Sequence, residues 1–294
     1  MAHLSGMLIL LRQPTLLIPV FGTSSHNTID KLFSRYLDTF IHLKTWYESD
    51  LFDKRSLAAK SMKKVNAMHS VVYHKFNSSL EPNANECLVS KKIEYVTQYD
   101  MVVTQWSSIG PVVLWPQKFG FYDISDHELE ALAHHWRVIG YKLGIDDRFN
   151  CCLDTLPETQ YFCSLILEND FVPILKQEEL NYGMEVSVGL ARAMNCLLPF
   201  LCFQGLLRYI YKKVLELPVY VEVDYHLGYR SLVYIIETMM LKSYWHWILS
   251  YALRFALFCV NLQRKAIAKY YERKYAHIDY QKQFEHCPYS KASY

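Results

Sequence analysis

The sequence predicts an all-helical protein built as one large domain over residues 1–294. Apolar residues recur at helical spacing in several long segments, and no alternating pattern of the kind that marks strands recurs. Glycine and proline are few, with 10 of each, which suits long helices with short joints. The chain is 51% apolar and 20% charged and has no internal repeat or Gly/Ser linker, so we expect one sizeable core.

Charge and cysteine content exclude several classes of function. The formal net charge is only +2, so no global basic field indicates a nucleic acid partner and no acidic field indicates a cationic substrate. The 8 cysteines are sparse for the length and form no CxxC pair, which argues against a disulfide scaffold and a structural zinc ribbon. We therefore expect free thiols and no nucleic acid partner.

The N-terminal region contains two apolar runs, Met7 to Leu11 and Leu16 to Phe21, separated by a break at residues 12–14. The runs are too short and too interrupted for a membrane-spanning helix, and they lack the layout of a signal peptide. Because the chain begins so abruptly in apolar sequence, we expect that it is truncated relative to its relatives.

The first clear helix begins near Asn27 or Thr28, either of which is a competent N-cap, and Asp30 complements the helix dipole. Its apolar stripe has the helical repeat and consists of Ile29, Leu32, Phe33, Tyr36, Leu37, Phe40 and Leu43. A polar stripe on another face of the same helix consists of Arg35, Thr39 and His42.

The next helix is predicted from Ser56 to Phe76. Its apolar face holds His69 among Met62, Val65, Val72 and Phe76. His74 lies about 140° further round the helix than His69, so the two imidazoles point in different directions.

Further helices follow from cap and breaker signals. One is predicted from Ile93 to Ile109, with Gly110-Pro111 as its end. The next starts at a capping box formed by Ser125 and Glu128 and ends at Gly144. Two more apolar helices are predicted, near Val186 to Leu215 and near Ser231 to Leu262.

An imidazole on an apolar helix face must be hydrogen-bonded or bound to something, because burying it unpaired costs about 1–3 kcal/mol. His69 is therefore either a core histidine bonded to a backbone carbonyl or a ligand of haem iron or another metal. As a haem ligand it would need apolar walls and an acceptor for its other ring nitrogen. The stripe of Arg35, Thr39 and His42 is likewise either a solvated face or a surface that binds haem propionates.

Four short motifs occur in order along the chain: Arg35-Tyr36-Leu37-Asp38-Thr39, Met68-His69-Ser70-Val71-Val72, QYDMVVTQW at residues 98–106 and WRVIGYKLGI at residues 136–145. Together they resemble the family of latex-clearing rubber oxygenases and the ER-bound oxygenase of the mycophenolic acid pathway. The resemblance covers residues 25–200, and the apolar helix and basic tail of residues 231–294 lie beyond it.

The resemblance implies a globin-like helical core around one b-type haem, which would be non-covalent because no CxxCH is present. It implies that His69 is the iron ligand and that Arg35 and Thr39 bind the haem. It also implies an O₂-dependent oxygenase that cleaves or oxidises a carbon–carbon double bond in an unsaturated lipid or isoprenoid chain. We expect a pocket lined by Phe, Met and Val to accept such a chain.

Two positions depart from the family. A lysine that precedes the threonine and can cap the distal side of the iron is replaced by Asp38, and the family's glutamate upstream of the arginine has no counterpart. Asp38 is either a distal proton-transfer group or a helix-surface carboxylate. The departures leave an alternative open, in which the chain is a non-catalytic, helical, membrane-associated protein that has kept the oxygenase fold.

A carboxylate-bridged di-iron site is a competing prediction for the metal. Glu130 and His134 are separated by one helical turn, and His127 and His135 are nearby. Such a site normally requires two Glu-x-x-His pairs and two more glutamates, and neither pair is present. A solvated charged face explains the same residues.

The segment from Tyr244 to Leu262 predicts membrane contact. It approaches the length of a spanning helix, but Arg254 near its middle would cost about 2.5–3.5 kcal/mol on insertion scales. Trp245, Trp247 and Tyr251 suit an interfacial belt, as does Tyr244, and beyond the segment basic residues outnumber acidic ones seven to three. We predict interfacial attachment to an intracellular membrane, the ER by resemblance; a buried core helix with a paired Arg254 is the alternative.

Overall fold

The computed structural model describes residues 2–13, 16–17, 19, 28–78, 94–176, 182–197, 203–217 and 243–280. This part of the chain consists of helices and connections without any strand, so the all-helical prediction is confirmed. The helices are α1 (Ala2–Leu10), α2 (Ile29–Glu48), α3 (Leu57–Asn77), α4 (Gln98–Leu114), α5 (Asp126–Lys142), α6 (Leu156–Ile166), α7 (Val172–Leu175), α8 (Tyr182–Met194), α9 (Phe203–Tyr209), α10 (Ser243–Leu262) and α11 (Arg264–Lys274).

The helices α2 and α3 begin where the sequence predicted. Thr28 is the N-cap residue of α2, although its side chain makes no capping hydrogen bond, and Asn27 lies outside the described residues. Ser56 caps α3, because its Oγ accepts a hydrogen bond from the Ala59 N–H at 3.0 Å. The buried faces match the predicted stripes over Ile29–Leu37 of α2 and at Met62 and Val65 of α3.

The predicted end of α4 before Gly110-Pro111 was wrong, because the helix continues through both residues to Leu114. Pro111 has no N–H to donate to the carbonyl of Ser107, one turn earlier. That carbonyl is instead approached by Gly6 of α1, where an added Cβ would lie 1.8 Å from the Ser107 oxygen. A close helix crossing therefore covers the point at which the proline interrupts the hydrogen bonds of α4.

The start of α4 also differs from the prediction. Thr97 and Asp100 form a capping box, in which the Asp100 carboxylate accepts from the Thr97 N–H at 2.9 Å. The predicted start at Ile93 lies outside the described residues. Val96 has a φ of 59°, which is a left-handed conformation, so α4 cannot extend toward the N-terminus through this residue.

Capping boxes also start α5 and α6. The predicted box of Ser125 and Glu128 is present, with the Glu128 carboxylate accepting from the Ser125 N–H at 2.8 Å, and Gly144 ends the segment at a φ of 98°. An equivalent box of Thr155 and Glu158 starts α6, which the sequence analysis did not predict.

The two apolar segments predicted near the C-terminus are only partly described. The segment Val186 to Leu215 is divided into α8 and α9, with a π-helical turn at Ile210–Val214 and with residues 198–202 outside the described part. The segment Ser231 to Leu262 is described as α10 from Ser243 onward.

One continuous apolar core joins the described helices from α1 to the residues after α11. The short helix α1 packs along α4, and α2 packs against α3, α8 and α11. The helix α4 also contacts α5 and α6. This packing places α2 and α3 beside each other, and the cavity described next lies between them and their neighbours.

Candidate functional site

A cavity of about 670 Å³ is bounded by side chains from α1, α2, α3, α4, α5 and α8. Its volume lies in the range of about 300–1,000 Å³ that is usual for small-molecule and cofactor sites. The apolar part of its wall includes methionines and valines, as predicted: Met7, Met68, Met101, Val65, Val72 and Val186. The predicted phenylalanines are not among the described residues that line it.

The side chains that the sequence analysis selected for the haem site all line this cavity. The helix α2 supplies Arg35, Asp38, Thr39 and His42, and α3 supplies His69. The four positions on α2 follow the i, i+3, i+4, i+7 spacing of one helix face. The polar stripe of α2 therefore meets the histidine of α3 at one cavity.

His69 is a half-buried imidazole, and its Nδ1 atom is buried without a hydrogen-bond partner. Burial, and secondarily the positive charge of Arg35, lower the pKa of His69 below its ordinary value. The ring is therefore neutral at neutral pH, the form that binds metals. A core histidine was expected to bond to a backbone carbonyl, and a haem ligand was expected to have an acceptor for its second ring nitrogen. In the described part of the chain, Nδ1 of His69 has neither partner.

Arg35 lines the same cavity and is close enough to His69 to affect its pKa. The Arg35 side chain is exposed at the mouth of the cavity, and neighbouring protein only partly desolvates its guanidinium, which lowers the pKa of Arg35. The nearby Tyr36 and Asp38 oppose that shift. Among the described residues, no carboxylate lies within ion-pair distance of Arg35, and both oxygens of Asp38 bind another arginine. A guanidinium in these surroundings favours an anionic group of a ligand.

Asp38 forms a two-pronged ion pair with Arg264 of α11, with both nitrogen–oxygen distances at 2.7 Å. Arg264 also donates to the carbonyl of Ser34 at 2.7 Å, and its pKa is raised mainly by the bond to Asp38. A proton-transfer role for Asp38 stays a prediction, and it would require this ion pair to open. Thr39 lies beside it and donates its hydroxyl to the Arg35 carbonyl at 3.1 Å.

His42 is held in place by a small hydrogen-bonded group. Its Nδ1 lies 2.7 Å from the Ser61 hydroxyl, which also accepts the Trp46 indole N–H at 2.8 Å. The rings of His42 and Trp46 are stacked. Burial, and then the charge of Lys64, lower the pKa of His42, so this imidazole is also neutral at neutral pH.

His3 is a cavity residue that the sequence analysis missed. It comes from α1, packs edge-on against the Phe40 ring and places Nδ1 3.3 Å from the Ser108 hydroxyl. Burial lowers its pKa to about 4. The apolar run of α1 contained the available signal, but a short helix buried on several sides has no single apolar stripe from which its position can be predicted.

The residues of the di-iron alternative lie elsewhere. Glu130 and His134 are exposed on α5 and border a separate small cleft with Arg137 and Asp154. His135 stacks on the Tyr47 ring at 5.1 Å. Within the described ranges, no group of three or more His, Cys, Asp or Glu side chains could hold a metal ion.

Arg254, near the middle of the predicted membrane segment, is 3.6 Å from a Glu48 carboxylate oxygen and largely exposed. The side chains of Tyr244, Trp245 and Trp247 lie outside the described part. None of the helices in the described ranges has the length and apolar character needed to span a bilayer.

Comparison of the chain with protein-family models, with curated proteins and with solved structures found no match.

Proposed function

We propose that the cavity binds one b-type haem non-covalently and that the loaded protein is an O₂-dependent oxygenase. The observation that carries the proposal is the meeting of two groups at one largely apolar cavity. One is the neutral imidazole of His69, whose Nδ1 is buried and unpaired, and the other is the guanidinium of Arg35, which has no carboxylate within ion-pair distance in the described part of the chain.

The residues fit such a group by their chemistry. His69 would hold the iron through its ring, and Arg35 would bind a propionate by charge-assisted hydrogen bonds. The Thr39 hydroxyl is one turn further along the same face and could turn toward the same anion. When bound, the haem supplies the redox centre at which O₂ is activated. The globin-like core remains part of the proposal.

The substrate that we propose is an unsaturated lipid or isoprenoid chain. The methionine, valine and leucine side chains of the wall can exclude water and accept a hydrocarbon. One alkene and one O₂ yield two carbonyl groups, so cleavage of the double bond needs no external reductant. Any proton transfer in the cavity would use His42, which lines it as a neutral imidazole. Asp38 could take this role only if its ion pair with Arg264 opened.

Absorption spectroscopy tests the haem site. Purified protein titrated with haemin should develop a Soret band that His69→Ala abolishes or shifts strongly. His74→Ala is the matched control, because His74 is an exposed histidine on the same helix and does not line the cavity. A spectrum that is identical in wild type and His69→Ala would reject His69 as the ligand.

Oxygen consumption tests the reaction. Haem-loaded protein should incorporate ¹⁸O from ¹⁸O₂ into aldehyde or ketone products of prenylated or polyunsaturated substrates, and its ferrous form should bind CO. If neither occurs with a protein that has a His69-dependent Soret band, the oxygenase proposal fails while haem binding stands.

A non-catalytic role is the second candidate, and the ion pair between Asp38 and Arg264 favours it. The pair occupies both carboxylate oxygens at the position where the oxygenases that the sequence resembles carry lysine. For either role we also propose attachment to an intracellular membrane, the ER by resemblance. Recovery of the protein wholly in the soluble fraction at physiological salt would contradict that location.

A further inference from the structure

The outer side of α10 presents a row of large apolar side chains to the surroundings. Ile248, Tyr251, Phe255, Phe258 and Leu262 follow one another at alternating steps of three and four residues, so they share one side of the helix. Each of them is at least 60% exposed. An exposed apolar row of this length on a helix marks an interaction surface.

The opposite side of α10 attaches the helix to the protein. Val260 is buried, Leu257 is half-buried against the core, and Arg254 on the flank reaches Glu48 of α2. These contacts hold the apolar row away from the core. The row is therefore an outward-facing surface and is separate from the cavity.

The next helix, α11, is separated from α10 by one residue and carries a row of positive charge. Lys265, Lys269 and Arg273 recur every four residues and are exposed, whereas Tyr271 on the other side of α11 is buried. Glu272 is the single acidic residue of α11. An exposed apolar helix face followed along the chain by an exposed basic row supplies the two components that bind amphipathic helices to anionic bilayers.

We propose that α10 docks by this face onto an anionic phospholipid bilayer and lies in the plane of its interface, with the basic row of α11 toward the lipid headgroups. Charge decides between the possible occupants, since a second copy of the chain would bring a like-charged basic row, whereas anionic headgroups complement it. The aromatic residues of the row also suit the interfacial region. The proposal rests on the membrane attachment proposed above, for which it names the surface and the lipid class, and it does not depend on haem binding.

Co-flotation with vesicles tests the proposal, with purified full-length protein and vesicles of phosphatidylcholine alone or mixed with phosphatidylserine. Wild type should bind the mixed vesicles, and the binding should weaken as salt is raised. Phe255→Ser with Phe258→Ser should weaken binding by about tenfold or more, because the inserted apolar area is lost. The matched control is Phe52→Ser with Tyr161→Ser, which changes two equally exposed aromatic residues elsewhere.

Charge reversal tests the second component. Lys265→Glu with Lys269→Glu should abolish the preference for phosphatidylserine, and the same changes at the exposed Lys60 and Lys63 of α3 should leave it intact. Circular dichroism and unfolding midpoints that match wild type would show that all variants are folded.

Two results would overturn the proposal. One is equal binding of wild type and the variant with Phe255 and Phe258 changed. The other is a lipid-free dimer in sedimentation that the same two substitutions dissociate, which would assign the face to a second copy. Because the Soret band is measured without lipid, failure of membrane docking is distinguishable from failure of haem binding.

Discussion

Gln105 is the residue that organises the polar contacts behind the cavity. Its side-chain amide donates to the Trp136 carbonyl at 2.8 Å and to the Asn150 side chain at 2.9 Å. Its oxygen accepts from the Cys151 N–H at 3.2 Å. Gly140 is required beside it, because a Cβ there would lie 2.3 Å from the Gln105 amide nitrogen. Because this buried amide uses both its nitrogen and its oxygen in hydrogen bonds, it fixes the positions of α4, α5 and the loop before α6 relative to one another.

Replacing Gln105 with Leu should therefore destabilise the fold strongly. The substitution removes the buried hydrogen bonds to Trp136 and Asn150 and leaves the Cys151 N–H without its acceptor. We therefore expect a loss of about 3 kcal/mol in the free energy of unfolding, measured by urea denaturation. Gln98→Leu is the control on the same helix, because its hydrogen bonds to Gly144 and Asp146 are exposed to water. Equal losses in the two variants would contradict this account.

His3 should make stability depend on pH. Its folded-state pKa of about 4 lies below the ordinary value of 6.5, so the unfolded chain binds the proton more readily. The contribution of His3 to the free energy of unfolding is fully present above about pH 6.5. It is lost as the pH falls toward 4, at about 1.4 kcal/mol per pH unit. We expect His3→Gln to flatten the pH dependence of the urea midpoint between pH 7 and pH 5.

At the scale of elements, the crossing of α1 and α4 depends on Gly6. Any side chain at this position meets the backbone oxygen of Ser107, which cannot move independently of its helix. We expect Gly6→Ala to force the helices apart and to lower the free energy of unfolding by about 3 kcal/mol. Ser5→Ala is the neighbouring control, and it should be neutral or stabilising because it removes a buried hydroxyl without a partner. A Gly6→Ala variant as stable as wild type would refute the close crossing.

Elements with a regular stripe or a cap could be predicted from the sequence, and elements defined by tertiary contact could not. The stripe of α2, the Ser56 cap and the box of Ser125 with Glu128 are local signals, and all three were confirmed. The box of Thr155 with Glu158 was an equally local signal that was overlooked. The passage of α4 through Pro111 depends on its partner helix α1, which no local pattern reports.

At the scale of the whole molecule, the contributions of α2 and α3 to the site could be predicted from the sequence, whereas those of α1 and α11 could not. Arg35 and His69 could be selected because each stands out on its own helix. His3 and Arg264 could not, because their contacts to the site join residues far apart in the chain. The ion pair of Arg264 with Asp38 spans 226 residues of sequence.

The cavity should also make the stability of the whole molecule respond to its ligand. A ligand that binds only the folded protein adds about 2.7 kcal/mol at a concentration of one hundred times its Kd. We expect haemin to raise the thermal midpoint of wild type and of His74→Ala by several degrees, and that of His69→Ala by clearly less. An equal rise in all three proteins would mean that haemin binds away from His69.

The ion pair between Asp38 and Arg264 connects the cavity wall to α11, so that ligand binding in the cavity and events at α11 can affect each other. A ligand that competes for the Asp38 carboxylate would leave Arg264 with only its hydrogen bond to the Ser34 carbonyl, and so would weaken the attachment of the start of α11 to α2. By linkage, an event at α11 that weakens the pair must favour that ligand by the same factor as the ligand favours the event. Through these two hydrogen bonds, ligand binding inside the protein and an event at its outer surface become coupled equilibria.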